Sequence, residues 1–285
     1  MQVNPKIDIV AVVVWYNPTE EQAKNILSYI HEVYRVIIVD NSTASNSHLL
    51  VGIDKDSYEY IPLYRNLGIA KALNKGCEEA IGLQAKWILT MDQDSRWECK
   101  HLRSYFDYIN SFPDLHEVGV FSPRQIYNGQ VVEYAQAYED KIAVMTSGCL
   151  ISAKGFRLAN GFRDEFFIDE VDNEYCMHIK QLGMRVVIVN HAYLVHQLGE
   201  LRIIKLLGIW RKEYIDHAPF RFYYMVRNNL VLSELYPCYK KFNRRRLKKM
   251  IKRVLLYDNQ HKNETLKMCL KGWWDFKKCV MGELR

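Results

Sequence analysis

The chain has no apolar run approaching the roughly 20 residues that a membrane-spanning helix needs, so a helical integral membrane protein is not expected. Its first residues carry neither the basic n-region nor the small-residue cleavage site of a secretory signal, and the expectation is a soluble or at most peripheral protein. The seven cysteines form no CxxC pair and no metal-ligand spacing. Cys77, Cys149 and Cys176 sit in apolar or helical settings, which argues against a disulfide framework and for reduced thiols in the cytoplasm. There is no internal repeat and no low-complexity linker. Nor does a glycine-rich, basic phosphate loop follow the first apolar strand, where Trp15-Tyr16-Asn17-Pro18 stands, so a nucleotidyltransferase is disfavoured. Residues 240–253 lack acid altogether and hold nine basic side chains.

What is present suits a globular α/β protein. The 285 residues are 49% hydrophobic and 25% charged, enough for a sizeable core. Aromatics reach 13%, led by 19 tyrosines, which suggests sugar-facing or interfacial surface as well as core. Residues 7–14 form a β-branched run, and a helix from Thr19 to about Ile30 follows it. Further strands are expected over 33–39, 58–63 and 87–92, with a helix over 69–83 before the last. This alternation predicts a doubly wound, mostly parallel sheet whose ligand loops follow the strands. Later come a helix over 100–111, a strand over 118–122, a turn at Asn128-Gly129, and the small-residue segment Thr146-Ser147-Gly148-Cys149 before another strand. An acidic stretch, 165–172, leads into a helix ending near Gly183, and a last strand over 185–189 precedes Val195-His196. From about Gly199 onward the chain reads as helical, aromatic and basic.

Four strand ends present polar groups: Tyr16-Asn17, Asp40-Asn41, Asp92 with Asp94, and the acidic segment from Asp169 to Glu174. In extended chain Asp92 and Asp94 point the same way, so both can meet one hard cation and a diphosphate. A carboxylate at a helix start can take a proton from an attacking hydroxyl, and His196 can complete a metal shell through an imidazole nitrogen.

The ordered motifs Val-Val-Val-Trp-Tyr-Asn-Pro at 12–18, Val-Ile-Ile-Val-Asp-Asn-Ser at 36–42, Asn-Leu-Gly-Ile-Ala-Lys-Ala-Leu-Asn at 66–74, Leu-Thr-Met-Asp-Gln-Asp-Ser at 89–95 and Phe-Ile-Asp-Glu-Val-Asp-Asn-Glu-Tyr-Cys at 167–176 carry a family likeness. Over residues 7–230 the chain resembles the family 2 glycosyltransferases of GT-A fold, and within them the bacterial rhamnosyltransferases. The resemblance implies a GT-A catalytic domain over 1–198, with a nucleotide part over about 1–98 and an acceptor part over about 99–198. A helical extension over 199–285 would follow. It implies that Asp40 bonds the pyrimidine base, that Tyr16, Asn17 and Gln93 line the nucleotide pocket, and that Asn66 and Lys71 lie near the nucleotide or its phosphates. Asp92 would contact ribose or metal, and Asp94, with His196, would hold Mg²⁺ or Mn²⁺ against the diphosphate. Asp172 would be the catalytic base, with Asp169 as the alternative, because Val171 rather than Glu precedes Asp172 while Glu170 and Glu174 flank it.

The implied reaction is a metal-dependent, inverting transfer of L-rhamnose from dTDP-L-rhamnose to a saccharide or lipid-linked glycan acceptor. A UDP-sugar donor, carrying galactofuranose or a hexose, is the alternative. The basic, aromatic tail suits contact with the anionic cytoplasmic membrane face. Nucleic-acid binding through 240–253 is the weaker reading, because no stacking motif or groove-reading module accompanies the charge. Each residue also has a plainer alternative: a strand-ending turn for Asp92 and Asp94, a helix cap for Asp40, turn closure for Asn66 and Asn74, and helix-start charges for Glu170 and Glu174.

Overall fold

The computed structural model describes residues 2–126, 132, 134–196, 201–206, 210–215, 217–257 and 261–284. The expected turn at Asn128-Gly129 lies outside the described residues. In chain order the first elements are α1 (Pro5–Asp8), β1 (Ile9–Trp15), α2 (Glu20–Lys24), β2 (Arg35–Asp40), β3 (Tyr58–Pro62), α3 (Ile69–Gly82), β4 (Trp87–Asp92), β5 (Ser95–Trp97) and α4 (Cys99–Asn110). There follow β6 (Val118–Ile126), β7 (Tyr138–Asp140), β8 (Cys149–Ser152), α5 (Ala153–Ala159), α6 (Val171–Gln181) and β9 (Arg185–His196). The chain closes with β10 (Leu201–Leu206), β11 (Trp210–Ile215), α7 (Pro219–Leu235), α8 (Lys240–Tyr257) and α9 (Lys262–Lys277). The residues group into two compact units, one of 1–164 with 171–197 and one of 165–170 with 198–285.

The first unit is built on a nine-stranded sheet of order β3-β2-β1-β4-β8-β6-β9-β5, with β7 paired to β9. Its first four strands are parallel. Runs such as Ile9–Trp15 are buried along their whole length, as strands covered on both faces must be. The register aligns their carboxyl ends: Trp15 lies across from Asp40 and Val14 across from Asp92. The chain leaves β1 toward β2 and β3 on one side and returns to β4 on the other. A crevice outside the strand ends is expected at that reversal.

Beyond β4 the expected parallel order gives way. The pairings β4–β8, β6–β8, β5–β9 and β7–β9 are antiparallel, and only β6–β9 is parallel. The strand expected over 185–189 continues to His196, which places that histidine within the sheet rather than after it. The helix expected to reach Ile30 is also shorter. A Thr19–Gln22 capping box starts α2, and from Asn25 the chain tightens into a 3₁₀ turn, where the Asn25 side chain bonds the Gln93 carbonyl at 2.8 Å.

The second unit opens with an antiparallel hairpin, β10 with β11, where the sequence had read as helix. Alternating apolar and charged residues with paired isoleucines fit either period over so short a span. The helices follow: Phe222, Val226, Val254 and Cys269 form a small core on α7, α8 and α9. Among the described residues no helix is long and apolar enough to cross a membrane.

Helix α3 approaches the sheet most closely at Gly76, where an added Cβ would run into the Val12 side chain and lie 3.0 Å from Val39 Cγ2. Both neighbours are stiff, β-branched and buried, and cannot swing aside. We expect Gly76→Ala to cost about 1–3 kcal/mol of stability, read as a lower urea midpoint with unchanged far-ultraviolet dichroism. An unshifted midpoint would contradict this packing.

Candidate active site

The carboxyl end of β4 carries the most unusual group in the first unit. Strand β4 stops at Asp92, Gln93 and Asp94 make a turn, and β5 starts at Ser95. The two carboxylates therefore meet through a turn and not through the extended chain that the spacing predicts. Strand β9 supplies the third member, because antiparallel pairing sets Ser95 across from His196. One ligand atom from each of Asp92, Asp94 and His196 lies within 4.8 Å of the others.

Asp94 Oδ1 is buried and has no hydrogen-bond partner, and His196 Nδ1 lies 3.7 Å from it. Burial raises the Asp94 carboxyl above its usual value, and the histidine offsets only part of that. An orphaned carboxylate oxygen out of water is costly unless a cation meets it. Two carboxylates and an imidazole form a donor set that suits a divalent ion such as Mg²⁺ or Mn²⁺.

Around this group the strand-end loops are cross-braced. Tyr16 is 49% exposed and stands at the rim, while its backbone is clasped by Gln93. Gln93 Oε1 accepts from Tyr16 N at 2.7 Å, and its Nε2 donates to Tyr16 O at 3.3 Å and to Gln22 Oε1 at 3.2 Å. Asn17 adopts a positive φ of 46°, and its backbone N–H donates to Ser42 Oγ at 2.7 Å. Gln93 thus sets the shape of the loop that presents Tyr16, a task that its place in the motif did not reveal.

Asp40 is fully buried. Its Oδ2 accepts from Tyr60 Oη at 2.5 Å and from the Asn46 backbone and side chain at 2.9 Å each, and its Oδ1 accepts from Ser42 N. Burial alone would raise this carboxyl, but the hydrogen bonds from Ser42, Tyr60 and Asn46 outweigh it and hold the group below its ordinary value. Asn66 Oδ1 accepts from Asn41 Nδ2 at 3.0 Å and from Gly68 N at 2.9 Å, closing the turn before α3. Lys71 is exposed on the first turn of α3. Asn74 clasps the 162–164 segment through Phe162 and Asp164.

Asp172 is the second residue of α6, partly buried, with Oδ1 accepting from Asn173 N at 2.8 Å. The thiol of Cys149 on β8 is raised first by burial, then by the neighbouring Cys176, and to a lesser extent by the charges of Asp172 and Asp92, with a hydrogen bond with Ser122 opposing them. Both carboxylates therefore act on one buried point of the sheet. The neighbouring acids are tied to arginines. Glu174 is buried against Arg163 at 2.9 Å.

In the second unit, Asp169 makes a bidentate pair with Arg221 at 2.5 and 3.1 Å, and Glu170 one with Arg246 at 2.6 and 3.0 Å. Arg227 and Asn228, both fully buried, bond the carbonyls of Glu165, Phe166, Ile168 and Asp169. That grip holds a segment in which Phe167, Asp169 and Glu170 all have positive φ, a conformation costly for such residues. Asp169, buried and doubly bonded to a guanidinium, is poorly suited to act as a base.

Comparison with known proteins agrees with this arrangement. The sequence pattern of glycosyl transferase family 2 matches residues 12–165. The chain is also 32% identical over 245 residues to the dTDP-rhamnosyl transferase RfbF of Shigella flexneri, covering 79% of each chain. The chain belongs to glycosyl transferase family 2. It is a glycosyltransferase, rhamnosyltransferase-like within that family.

Solved structures share its GT-A fold. S. aureus TarS in complex with UDP-GlcNAc superposes with a TM-score of 0.61 at 15% identity, covering 96% of this chain and 81% of that one. GalNAc-T7 with UDP, GalNAc and Mn²⁺ gives a TM-score of 0.55 at 11% identity, over 67% of this chain and 44% of that one. The family match stops at 165, so Asp172 and His196 lie beyond it.

Because the Asp40 carboxyl titrates lower when folded, its contribution is present above the unfolded value of about 3.9 and is lost as pH falls through the folded value. Asp40→Asn should therefore lower the urea midpoint clearly at about pH 7 and much less at about pH 3. Equal losses at both would show that this carboxylate is not held ionised by its donors.

Proposed function

We propose that the chain is an inverting, metal-dependent transferase moving L-rhamnose from dTDP-L-rhamnose to a hydroxyl of a growing cell-surface polysaccharide or lipid-linked glycan. One observation carries the reading: the buried Asp94 Oδ1, without a hydrogen-bond partner, grouped with Asp92 and His196 at the carboxyl end of β4, beside the point where the strand order reverses. Asp94, Asp92 and His196 would hold Mg²⁺ or Mn²⁺. When bound, such an ion offers positive charge against the donor diphosphate as it leaves. Tyr16 and Asn17 line the nucleotide pocket, which Gln93 shapes. Asp40, held in place by Tyr60, Asn46 and Ser42, bonds the pyrimidine base. Asn66, which closes the turn before α3, and Lys71 lie near the nucleotide or its phosphates. Asp172 takes the proton from the acceptor hydroxyl, which attacks the anomeric carbon from the face opposite the leaving group. This single displacement needs one base and inverts the centre.

The nucleotide part is assigned to about 1–98, the acceptor part to about 99–198, and the extension to 199–285. The likeness to a dTDP-rhamnosyl transferase supports the donor sugar. A UDP-sugar donor is the second reading, favoured by the UDP and UDP-GlcNAc complexes of S. aureus TarS.

The surface of α8 supports a lipid-linked acceptor and a peripheral position on the cytoplasmic face of the membrane. Leu247, Ile251, Leu255 and Leu256 line an open apolar groove of about 520 Å³ with Lys248 and Lys252 beside them. Leu255 and Leu256 are nearly half exposed, as are Trp273 and Trp274 on α9. Apolar side chains flanked by lysines match the boundary between acyl chains and anionic headgroups.

Asp94→Ala should abolish metal-dependent nucleotide binding in calorimetry. Asp172→Asn should keep donor affinity near wild type and lower kcat by about 10²–10⁴-fold. Loss of donor binding in folded Asp172→Asn would show the base to be misassigned. Wild-type protein should float with phosphatidylglycerol vesicles and not with phosphatidylcholine ones, and Leu255→Glu with Leu256→Glu should abolish flotation. Flotation indifferent to lipid charge would contradict the membrane reading.

A further inference from the structure

Two serines outside the ligand group connect all of its parts. Ser147 and Ser95 are both fully buried. Ser147 Oγ accepts the backbone N–H of Asp92 at 3.1 Å and donates to Ser95 Oγ at 2.8 Å. Ser95 Oγ in turn lies 2.5 Å from His196 Nδ1. The end of β4, the start of β5 and the end of β9 are thereby joined through two hydroxyls, and each of these segments carries or adjoins a member of the Asp92, Asp94 and His196 group.

The segment that presents Ser147 is itself fixed. Thr90 Oγ1 donates to the Thr146 carbonyl at 2.7 Å, Gly148 N donates to the Thr90 carbonyl at 2.7 Å, and Gln125 Nε2 donates to the Ser147 carbonyl at 2.9 Å. Gly148 has φ of 77°, and an added Cβ would come within 2.9 Å of both Leu194 and Pro123. Only glycine fits there, so the backbone that aims Ser147 has no room to adjust.

We propose that Ser147 and Ser95 are positioning residues for a divalent cation held by Asp92, Asp94 and His196. Ser147 fixes the backbone at Asp92, and Ser95 sets the plane of the His196 ring. An imidazole with one ring nitrogen hydrogen-bonded to a fixed oxygen is held in one plane, which orients its nitrogens toward a cation. Removal of such supports in metalloproteins costs about 10–100-fold in metal affinity. This inference rests on the reading of the group as a cation site.

The test is Mn²⁺ titrated into the full chain without nucleotide, followed by electron paramagnetic resonance. Wild type should bind, with nitrogen coupling from the His196 imidazole visible on the bound ion. Ser147→Ala and Ser95→Ala should each bind about 10–100-fold more weakly, and Ser95→Ala should lose or alter that coupling. A merely structural serine would leave the coupling unchanged. Wild-type affinity and coupling in both variants would overturn the proposal. Tighter binding by Ser95→Ala would do the same, since it would mean that the serine competes with the ion for Nδ1. Wild type failing to bind Mn²⁺ at all would overturn the cation reading and this inference with it, a result distinct from the other two.

Discussion

A carboxylate oxygen removed from water has to meet a positive charge or a donor, and Asp94 Oδ1 meets neither at hydrogen-bond distance. Much of the first unit can be understood as the framework that keeps this oxygen in place. The parallel strands bring Asp92 to the edge beside Tyr16 and Asp40, the turn at Gln93 carries Asp94 back toward it, and the pairing of β5 with β9 delivers His196. An isolated acid in this position would neutralise itself by holding its proton, and burial does push Asp94 in that direction. The second carboxylate and the imidazole nearby make a divalent ion the alternative way to settle the charge.

The proposed site residues also brace the loops around them. Gln93 joins the loops after β1 and β4 while presenting Tyr16 to solvent. Asp40 ties Tyr60 and Asn46 around the loop after β2, and Asn66 ties Asn41 to the turn before α3. In the second unit the same economy governs the acidic segment: Asp169 and Glu170 each take a guanidinium, and Arg227 with Asn228 bonds the carbonyls of Glu165, Phe166, Ile168 and Asp169 in a segment with three left-handed residues. Buried ion pairs of this kind contribute little net stability against an apolar substitute, but they fix geometry, because removing one partner strands the other.

The parallel half of the sheet was legible in the sequence because its strands are long β-branched runs buried on both faces, as in Ile9–Val14 and Arg35–Val39. In the mixed half, strands at β6, β8 and β9 were legible but their order was not. Strands β5 and β7 have three residues each, too few to show a period, and the order in which the strands pair depends on contacts far apart in the chain. The six-residue strands of the β10–β11 hairpin were hidden by their mixture of apolar and charged residues, which fits either period. The spacing of Asp92 and Asp94 pointed to one shared site, although a turn brings them together, and only the register of β5 on β9 shows how His196 joins them. Ser95 and Ser147 gave no signal of their own, since serine is ordinary in loops and only burial distinguishes these two. The bracing partners of Gln93 and Asp40 were not legible, because they are backbone groups and side chains from other loops.

The most direct measurement of the central claim is calorimetric and thermal titration of the full chain with dTDP, UDP and GDP, each with Mn²⁺ and again with the metal chelated. A nucleotide at about 100 times its dissociation constant stabilises the fold by roughly 2.7 kcal/mol. The account predicts that dTDP gives this stabilisation in preference to UDP or GDP, and only when metal is present. Nucleotide binding that is indifferent to metal, or no nucleotide binding at all, would contradict it.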